Sequence, residues 1–125
     1  MKIKKVTPIY IVDRIEPALP FWTSLGFEKT VEVPHEGTIG FVILASEGRE
    51  VMLQTRASVK EDLAVKDLDP ACALYVDVDS IADARAACKG ARVFIEDRST
   101  PYGARETWVL DPSGTLVGLA QLSAR

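Results

Sequence analysis

The sequence has 125 residues, of which 47% are hydrophobic and 26% are charged. This length and composition indicate one globular domain and argue against a disordered chain. The 15 basic and 18 acidic residues give a net charge of -3, which disfavours nucleic acid as the main partner. No apolar run approaches the roughly 18 to 20 residues of a membrane-spanning helix, and the N-terminus lacks a signal-peptide core. We therefore expect a cytoplasmic protein.

The first half of the chain has the pattern of a strand, a helix and three strands. A β-branched apolar run predicts a strand from Val6 to Asp13. The spacing of the next apolar residues predicts a helix that begins near Pro17 and is stopped by Gly26, with Asp13 and Glu16 as a capping box. Three further strands are predicted, from Glu28 to Val33, Ile39 to Ala45 and Glu50 to Thr55.

The second half repeats this order after a connector. A second capping box, formed by Ser58 and Glu61, predicts a short helix up to about Lys66. The remaining predicted elements are a strand from Ala73 to Val78, a helix capped at Asp79 or Ser80 and ended by Gly90, and strands from Arg92 to Glu96, Glu106 to Leu110 and Thr115 to Leu122.

The two halves match with a constant step along the sequence. The same 66 residues separate Val12 from Val78 and Gly48 from Gly114. The predicted fold class is therefore α+β, with two tandem β-α-β-β-β modules over residues 5–56 and 71–123 and a connector helix over 57–70. One module is too small to close a core, so we expect the pair to form a curved mixed sheet around a cleft.

His35 is the only histidine, so one chain cannot supply a two-histidine metal site. Its neighbours, from Pro34 to Gly37, are typical of a turn and predict a solvated loop histidine. Phosphate-binding glycine loops and hydrolase nucleophile elbows are also absent from the sequence. The two cysteines, Cys72 and Cys88, are expected to be reduced and buried.

Several motifs resemble those of one superfamily. They are the run from Ile9 to Ile15, the Phe-Trp-Thr and Leu-Gly-Phe segments between Phe21 and Phe27, and Tyr102 to Glu106 followed by Asp111 to Gly114. In these motifs the chain is similar to the vicinal oxygen chelate superfamily, which groups glyoxalase I, bleomycin-resistance proteins and extradiol dioxygenases. The resemblance extends from about Val6 to Gln121.

The resemblance implies four metal-ligand positions, one early on the first strand and one on the last strand of each module. Here they fall on Thr7, Met52, Ala73 and Gly118. None of these side chains is a histidine or a carboxylate, so we expect no metal, no cofactor and no catalytic residue. A shift of one or two positions would instead offer Glu50, Gln54 and Gln121. A one-residue shift, however, would swap the two faces of a strand and expose its apolar residues.

The side-chain alternation of the strands and the resemblance together predict a ligand pocket. Its predicted members are Ile9, Met52, Gln54, Tyr75, Asp77, Tyr102, Glu106 and Trp108. Tyr75 is interpreted as either a stacking residue or a core residue, while Tyr102 is assigned to the ligand. Glu106 is preferred to its neighbour Arg105. Trp108 faces either side, and a tight turn at Pro112-Ser113 would place it opposite Val117, towards the helix.

The leading hypothesis is a metal-free, homodimeric binding protein of the bleomycin-resistance-like branch, which sequesters an antibiotic or another aromatic or cationic small molecule. The alternative is a lyase, isomerase or dioxygenase-type enzyme that uses Glu50, Glu106 or Tyr75 as acid or base, or an atypical metal site. A third possibility is a regulator or scaffold with no small ligand.

Overall fold

The structure, a computed structural model, describes residues 1–63 and 71–123. Over these residues the chain forms eight strands and three short α-helices, which agrees with the predicted α+β class. The strands are β1 (Ile3–Val12), β2 (Glu28–His35), β3 (Thr38–Ser46), β4 (Arg49–Thr55), β5 (Cys72–Val78), β6 (Arg92–Ser99), β7 (Ala104–Leu110) and β8 (Leu116–Leu122). The helices are α1 (Leu19–Ser24), α2 (Arg56–Leu63) and α3 (Ile81–Ala87). In the described part of the chain no helix has both the length and the apolar character needed to cross a membrane.

The chain divides into two compact units. The N-terminal unit is Pro8–Cys72, and the C-terminal unit combines Met1–Thr7 with Ala73–Arg125. Strand β1 is thus shared, with its first half in the C-terminal unit and its second half in the N-terminal unit. In the C-terminal unit, the backbone N–H of Lys2 donates to Asp79 Oδ1 at 2.7 Å, and the Asp79 N–H donates to the Lys2 carbonyl at 3.0 Å.

In the N-terminal unit the strands are ordered β2-β3-β4-β1. β1 runs parallel to β4, and both β2–β3 and β3–β4 are antiparallel hairpins. The hairpins turn on Glu36-Gly37 and Glu47-Gly48, and all four of these residues have positive φ, as two-residue hairpin turns of the I′ type require. The core of the unit consists of Ile15, Val42, Leu44, Val51 and Leu53.

The entry to α1 differs from the prediction. A 3-10 turn over Glu16–Ala18 precedes α1, which begins at Leu19, so Pro20 lies in the first helical turn, where its missing N–H costs no hydrogen bond. The predicted capping box does not form. Instead, the Glu16 carboxylate accepts hydrogen bonds from the Thr38 hydroxyl and, at 2.9 Å, from the Ile39 N–H. Glu16 therefore ties the helix entry to β3.

The start of α2 was also wrongly predicted. The helix begins at Arg56 rather than at Ser58, and the Thr55 hydroxyl accepts a 3.1 Å hydrogen bond from the Ser58 N–H. Glu61 contacts His35 instead of closing a capping box. The predicted end near Lys66 lies outside the described residues.

In the C-terminal unit the strands are ordered β5-β8-β7-β6, with β5 parallel to β8 and the other pairs antiparallel. The predicted cap of α3 is confirmed, because the Ser80 hydroxyl accepts a 3.1 Å hydrogen bond from the Asp83 N–H. Helix α3 covers one face of this sheet with Ile81 and Ala84. They pack on Val76, Val78, Val109 and Leu119.

The predicted pairing of Trp108 with Val117 is wrong, because Trp108 lies opposite Gly118 and Leu110 lies opposite Leu116. The connection from β7 to β8 is longer than the predicted two-residue turn. Oδ1 of Asp111 accepts hydrogen bonds from the N–H groups of Ser113 and Thr115, at 2.9 and 2.8 Å. This side-chain turn extends the loop and sets the register of β7 on β8.

Two other expectations need correction. His35 is the last residue of β2 rather than a solvated loop residue, and its side chain is only 18% exposed. Cys72 and Cys88 are half-buried rather than buried, and they form no disulfide bond with each other.

Candidate ligand-binding site

A buried carboxylate lies at the centre of one face of the C-terminal sheet. Glu106 is 0% exposed, and each of its oxygens accepts two hydrogen bonds. Oε2 accepts from the hydroxyls of Tyr75, at 2.5 Å, and Tyr102, at 2.6 Å. Oε1 accepts from Arg98 Nε and Trp108 Nε1, both at 2.8 Å. Because a carboxylate offers about four acceptor positions, the described donors saturate it.

Strand geometry explains how these side chains meet. Glu106 and Trp108 are two residues apart on β7, so they point to the same face, whereas Val109 points to α3. Arg98 lies opposite Glu106 in the β6–β7 ladder. Tyr102 comes from the loop that joins β6 to β7 and reaches Glu106 four residues further along the chain.

The hydrogen bonds decide the protonation state of Glu106. Burial by itself would raise the pKa of this carboxyl, but the four donors together outweigh burial and hold the pKa below its ordinary value. Glu106 is therefore ionised at neutral pH. The guanidinium of Arg98 supplies the compensating charge, as a buried carboxylate requires.

The pKa values of the two tyrosines are shifted in the opposite direction, upward. Burial, followed by the hydrogen bond to Glu106, raises the pKa of Tyr102 to about 12. The same two causes, with burial the larger, raise the pKa of Tyr75 even further above its ordinary value. Both phenols therefore stay neutral at physiological pH and act as hydrogen-bond donors to the carboxylate.

The aromatic rings around Glu106 differ in how far they reach solvent. The Tyr102 residue is 59% exposed although its hydroxyl is turned inward to Glu106, Tyr75 is half-buried, and Trp108 is only 4% exposed. The rings of Tyr75 and Trp108 are tilted by 48° with their centroids 6.1 Å apart. We call Tyr75, Tyr102 and Trp108, with Glu106 and Arg98, the Glu106 cluster. It presents an exposed aromatic ring whose polar end is fixed.

The sequence matches the profile of the Glyoxalase/Bleomycin resistance protein/Dioxygenase superfamily over residues 2–119. The chain belongs to this superfamily. Among curated proteins, none matches the chain.

Solved structures share the fold. A superfamily member from Vibrio splendidus 12B01 is 23% identical with a TM-score of 0.72, covering 96% of this chain and 99% of its own. A Staphylococcus aureus protein is 21% identical with a TM-score of 0.69, covering 98% and 100%. The methylmalonyl-CoA epimerase from Mycobacterium tuberculosis is 19% identical with a TM-score of 0.65, covering 98% and 88%. Identities this low establish the fold and leave the reaction open.

The metal site that the superfamily implies does not fit the residues of this chain. Thr7 and Ala73 are buried, and neither supplies an imidazole or a carboxylate. At Gly118 the space for a side chain is filled, because an added Cβ would lie 2.6 Å from atoms of the Trp108 indole. Met52, in the N-terminal unit, offers only a thioether, a poor ligand for hard or borderline divalent ions. No ligand set for such an ion exists at these four positions.

A shifted alignment would offer Glu50, Gln54 and Gln121 as metal ligands, and the structure gives the two glutamines other partners. Gln121 Oε1 accepts a 2.8 Å hydrogen bond from the Ile81 N–H at the start of α3, and Gln54 Nε2 donates to the Ser58 hydroxyl at 3.0 Å. Glu50 lies opposite Ala45 in the β3–β4 hairpin. Gln54 and Gln121 therefore form hydrogen bonds with the first turns of α2 and α3.

The structure brings together four of the eight sequence-predicted pocket residues, Tyr75, Tyr102, Glu106 and Trp108. Three others are neighbours in the N-terminal unit, where Ile9 lies opposite Met52 and Gln54 is two residues further along β4. Asp77 borders a shallow depression of about 420 Å³ with Lys4 and Gln121. No described residue donates a hydrogen bond to its buried Oδ1.

Arg98 is a member of the Glu106 cluster that sequence reasoning missed. The sequence did contain a signal for it. Arg98 and Glu106 stand on either side of the Tyr102 loop, and residues at such positions lie opposite each other when the flanking strands form an antiparallel hairpin. Arg105, the alternative to Glu106, points to the other face, where it donates to both oxygens of Asp97 at 2.9 Å. This ion pair, led by the Arg105 hydrogen bonds, holds the pKa of Asp97 below its ordinary value.

Proposed function

We propose that this superfamily member binds an aromatic or cationic small molecule without a metal ion and sequesters it. The observation that carries the proposal is the Glu106 cluster, in which a buried carboxylate fixes the hydroxyl of Tyr102 while leaving its ring exposed. A ring that is held in place loses little conformational freedom when a ligand stacks on it. The electron-rich face of the same ring attracts a cationic group.

The electrostatics of the cluster favour binding over acid–base chemistry. A general acid or base works best when its pKa lies near the operating pH. Glu106 has a lowered pKa and no free acceptor position, while Tyr75 and Tyr102 have raised pKa values. None of these groups is suited to exchange a proton near neutral pH. Sequestration needs only affinity. We therefore propose a bleomycin-resistance-like role in the cytoplasm for this chain, which we interpret as two tandem modules.

A thermal-shift screen tests the proposal directly. Metal-free protein is screened against glycopeptide and aromatic antibiotics, because a compound that binds the native state raises the melting temperature. Tyr102→Ala removes the exposed ring and should weaken binding of a hit by about tenfold, the scale of a lost aromatic contact. Tyr102→Phe keeps the ring but removes the hydroxyl that Glu106 fixes, so it should bind less tightly than the wild type and more tightly than Tyr102→Ala.

Tyr10→Ala serves as the matched control, since Tyr10 is also exposed but stacks on Trp22 in the N-terminal unit. Equal affinity of the wild type and Tyr102→Ala would remove the assigned role of the ring. Elemental analysis forms a second arm. Bound metal whose removal abolishes ligand binding would contradict the metal-free proposal.

We also propose that the protein is a homodimer. Helix α1 supports this, because its Phe21 is 61% exposed and the following Leu25 is 58% exposed, and exposed apolar side chains that lie close together are typical of interfaces. Sedimentation of the wild type and of Phe21→Ser tests it. A wild type that sediments as a monomer at micromolar concentration would contradict the proposal.

A further inference from the structure

Three metal-ligating side chains meet in the N-terminal unit, whereas the Glu106 cluster belongs to the C-terminal unit. They are His35 at the end of β2, Glu36 in the following turn and Glu61 on α2, and their ligand atoms all lie within 4.8 Å of one another. Across residues 1–63 and 71–123, this is the one such group of three or more histidine, cysteine, aspartate or glutamate side chains.

Two secondary-structure elements position the group. The buried residues Val59 and Leu63 fix α2, which brings Glu61 to His35. His35 Nε2 is in hydrogen-bond contact with Glu61 Oε2. On the other side, a Cβ at Gly40 would overlap the His35 Cβ, so the absence of a side chain there lets His35 lie against β3. The imidazole is thereby held at 18% exposure, while the Glu61 side chain remains 71% exposed.

We infer that His35, Glu36 and Glu61 form a Zn²⁺-binding site. One imidazole nitrogen and two carboxylate oxygens suit a borderline divalent ion, whereas Mg²⁺ prefers oxygen ligands alone. Zn²⁺ bonds to such ligands are about 2.1 Å long, which places neighbouring ligand atoms of a tetrahedral ion about 3.4 Å apart. Since the ligand atoms lie within 4.8 Å of one another, side-chain shifts of about 1 to 1.5 Å reach this spacing.

The charges of the group favour a cation. Two carboxylates this close repel each other, and a divalent ion between them replaces that repulsion with attraction. Three protein ligands leave the fourth tetrahedral position to water. The site is separate from the four positions that the superfamily implies, because it lies on the β2–β3 hairpin and α2. Its occupancy does not depend on the ligand proposed for the Glu106 cluster.

Isothermal titration of the purified, metal-free full chain with ZnCl₂ tests this inference. Cys72→Ser/Cys88→Ser is the background, which removes thiols that would also take Zn²⁺. We expect one Zn²⁺ per chain and a raised melting temperature, with no comparable response to Mg²⁺. His35→Ala and Glu61→Gln should each weaken Zn²⁺ binding by at least about tenfold, and Glu36→Gln should weaken it as well.

Glu47→Gln is the matched control. Glu47 occupies the corresponding position of the next hairpin turn, with the same positive φ, but has no histidine beside it. It should bind Zn²⁺ like the background protein. Co²⁺ provides an independent readout, because its visible absorption bands should appear in the background protein and disappear in Glu61→Gln, an exposed change that leaves the core intact. Absence of Zn²⁺ binding, or equal binding by the His35, Glu61 and Glu47 variants, would overturn the inference.

Discussion

Trp108 Nε1 donates a 2.8 Å hydrogen bond to Oε1 of Glu106, two residues earlier on the same strand. Residues two apart on a strand share a face, so the two side chains meet without any distortion of the backbone. The hydrogen bond fixes the rotation of the indole, whose six-membered ring then lies against Gly118 on the adjacent strand. The carboxylate and the glycine together determine where Trp108 lies, and each can be tested by substitution.

Glu106→Gln should destabilise the protein by about 2 to 4 kcal/mol, because it removes a buried charge that accepts four hydrogen bonds, one of them from the Arg98 guanidinium. The amide nitrogen of the substituted side chain is also a hydrogen-bond donor, and it would face the donors that now bond to the carboxylate. Urea unfolding at pH 7 measures the loss. Glu96→Gln, at an exposed position of β6, is the control and should stay within about 0.5 kcal/mol of the wild type. Similar effects of both substitutions would show that the Glu106 network contributes little.

Gly118→Ala should cost about 1 to 3 kcal/mol, since the new methyl group would meet the indole of Trp108 at 2.6 Å. Combining it with Trp108→Phe makes room for the methyl group. The double variant should therefore be more stable than the sum of the two single losses predicts, as a double-mutant cycle of unfolding free energies would reveal. Simple additivity would mean that the two side chains do not compete for the same space.

Stability should fall at alkaline pH. The folded-state pKa of Tyr102 is about 12, above its ordinary value of 10.0, so between these values the folded protein holds more protons than the unfolded chain. The associated stability is fully present below pH 10 and is lost as the pH rises towards 12. Urea midpoints measured from pH 9 to 12 check this slope. Tyr102→Phe should have a shallower slope, and an unchanged slope would contradict the assignment.

Glu16 should make the protein sensitive to acid. The hydrogen bond from the Ile39 N–H, followed by that from Thr38, lowers the pKa of Glu16 to about 2. Because the folded-state pKa is depressed, the stability that Glu16 provides is present above pH 4.5 and is lost as the pH falls towards 2. Glu16→Gln should flatten the unfolding profile over this range. Glu28→Gln, at an exposed position on β2, should retain the steep profile of the wild type.

Local sequence patterns predicted the apolar strands more accurately than the polar ones. Alternation of buried side chains placed β3, β4 and β5 within one residue of their observed ends. Strand β6 was predicted to end at Glu96, yet it continues to Ser99. Its last residues are polar, and they extend the strand because Asp97 and Arg98 find partners on β7. Such long-range pairing leaves no local periodicity.

The candidate site was predictable in its residue types and less so in its arrangement. Tyr75, Tyr102 and Glu106 were selected from side-chain alternation and from the resemblance, and the structure joins them by hydrogen bonds. The face of Trp108 depends on the register of β7 on β8. That register is set by the Asp111 side chain, which accepts hydrogen bonds from two N–H groups of the loop. A two-residue turn assumes a shorter loop and therefore predicts a different register.

The sharing of β1 between the two units has a consequence for dissecting the protein. The C-terminal unit takes residues Met1–Thr7 from the opposite end of the chain, and Lys2 is bonded there to Asp79. A fragment cut at the connector would separate Asp79 from that segment, so two expressed halves would not correspond to the two units. Obtaining the C-terminal unit alone would require a rearranged gene in which Met1–Thr7 is linked directly to the segment that begins at Ala73.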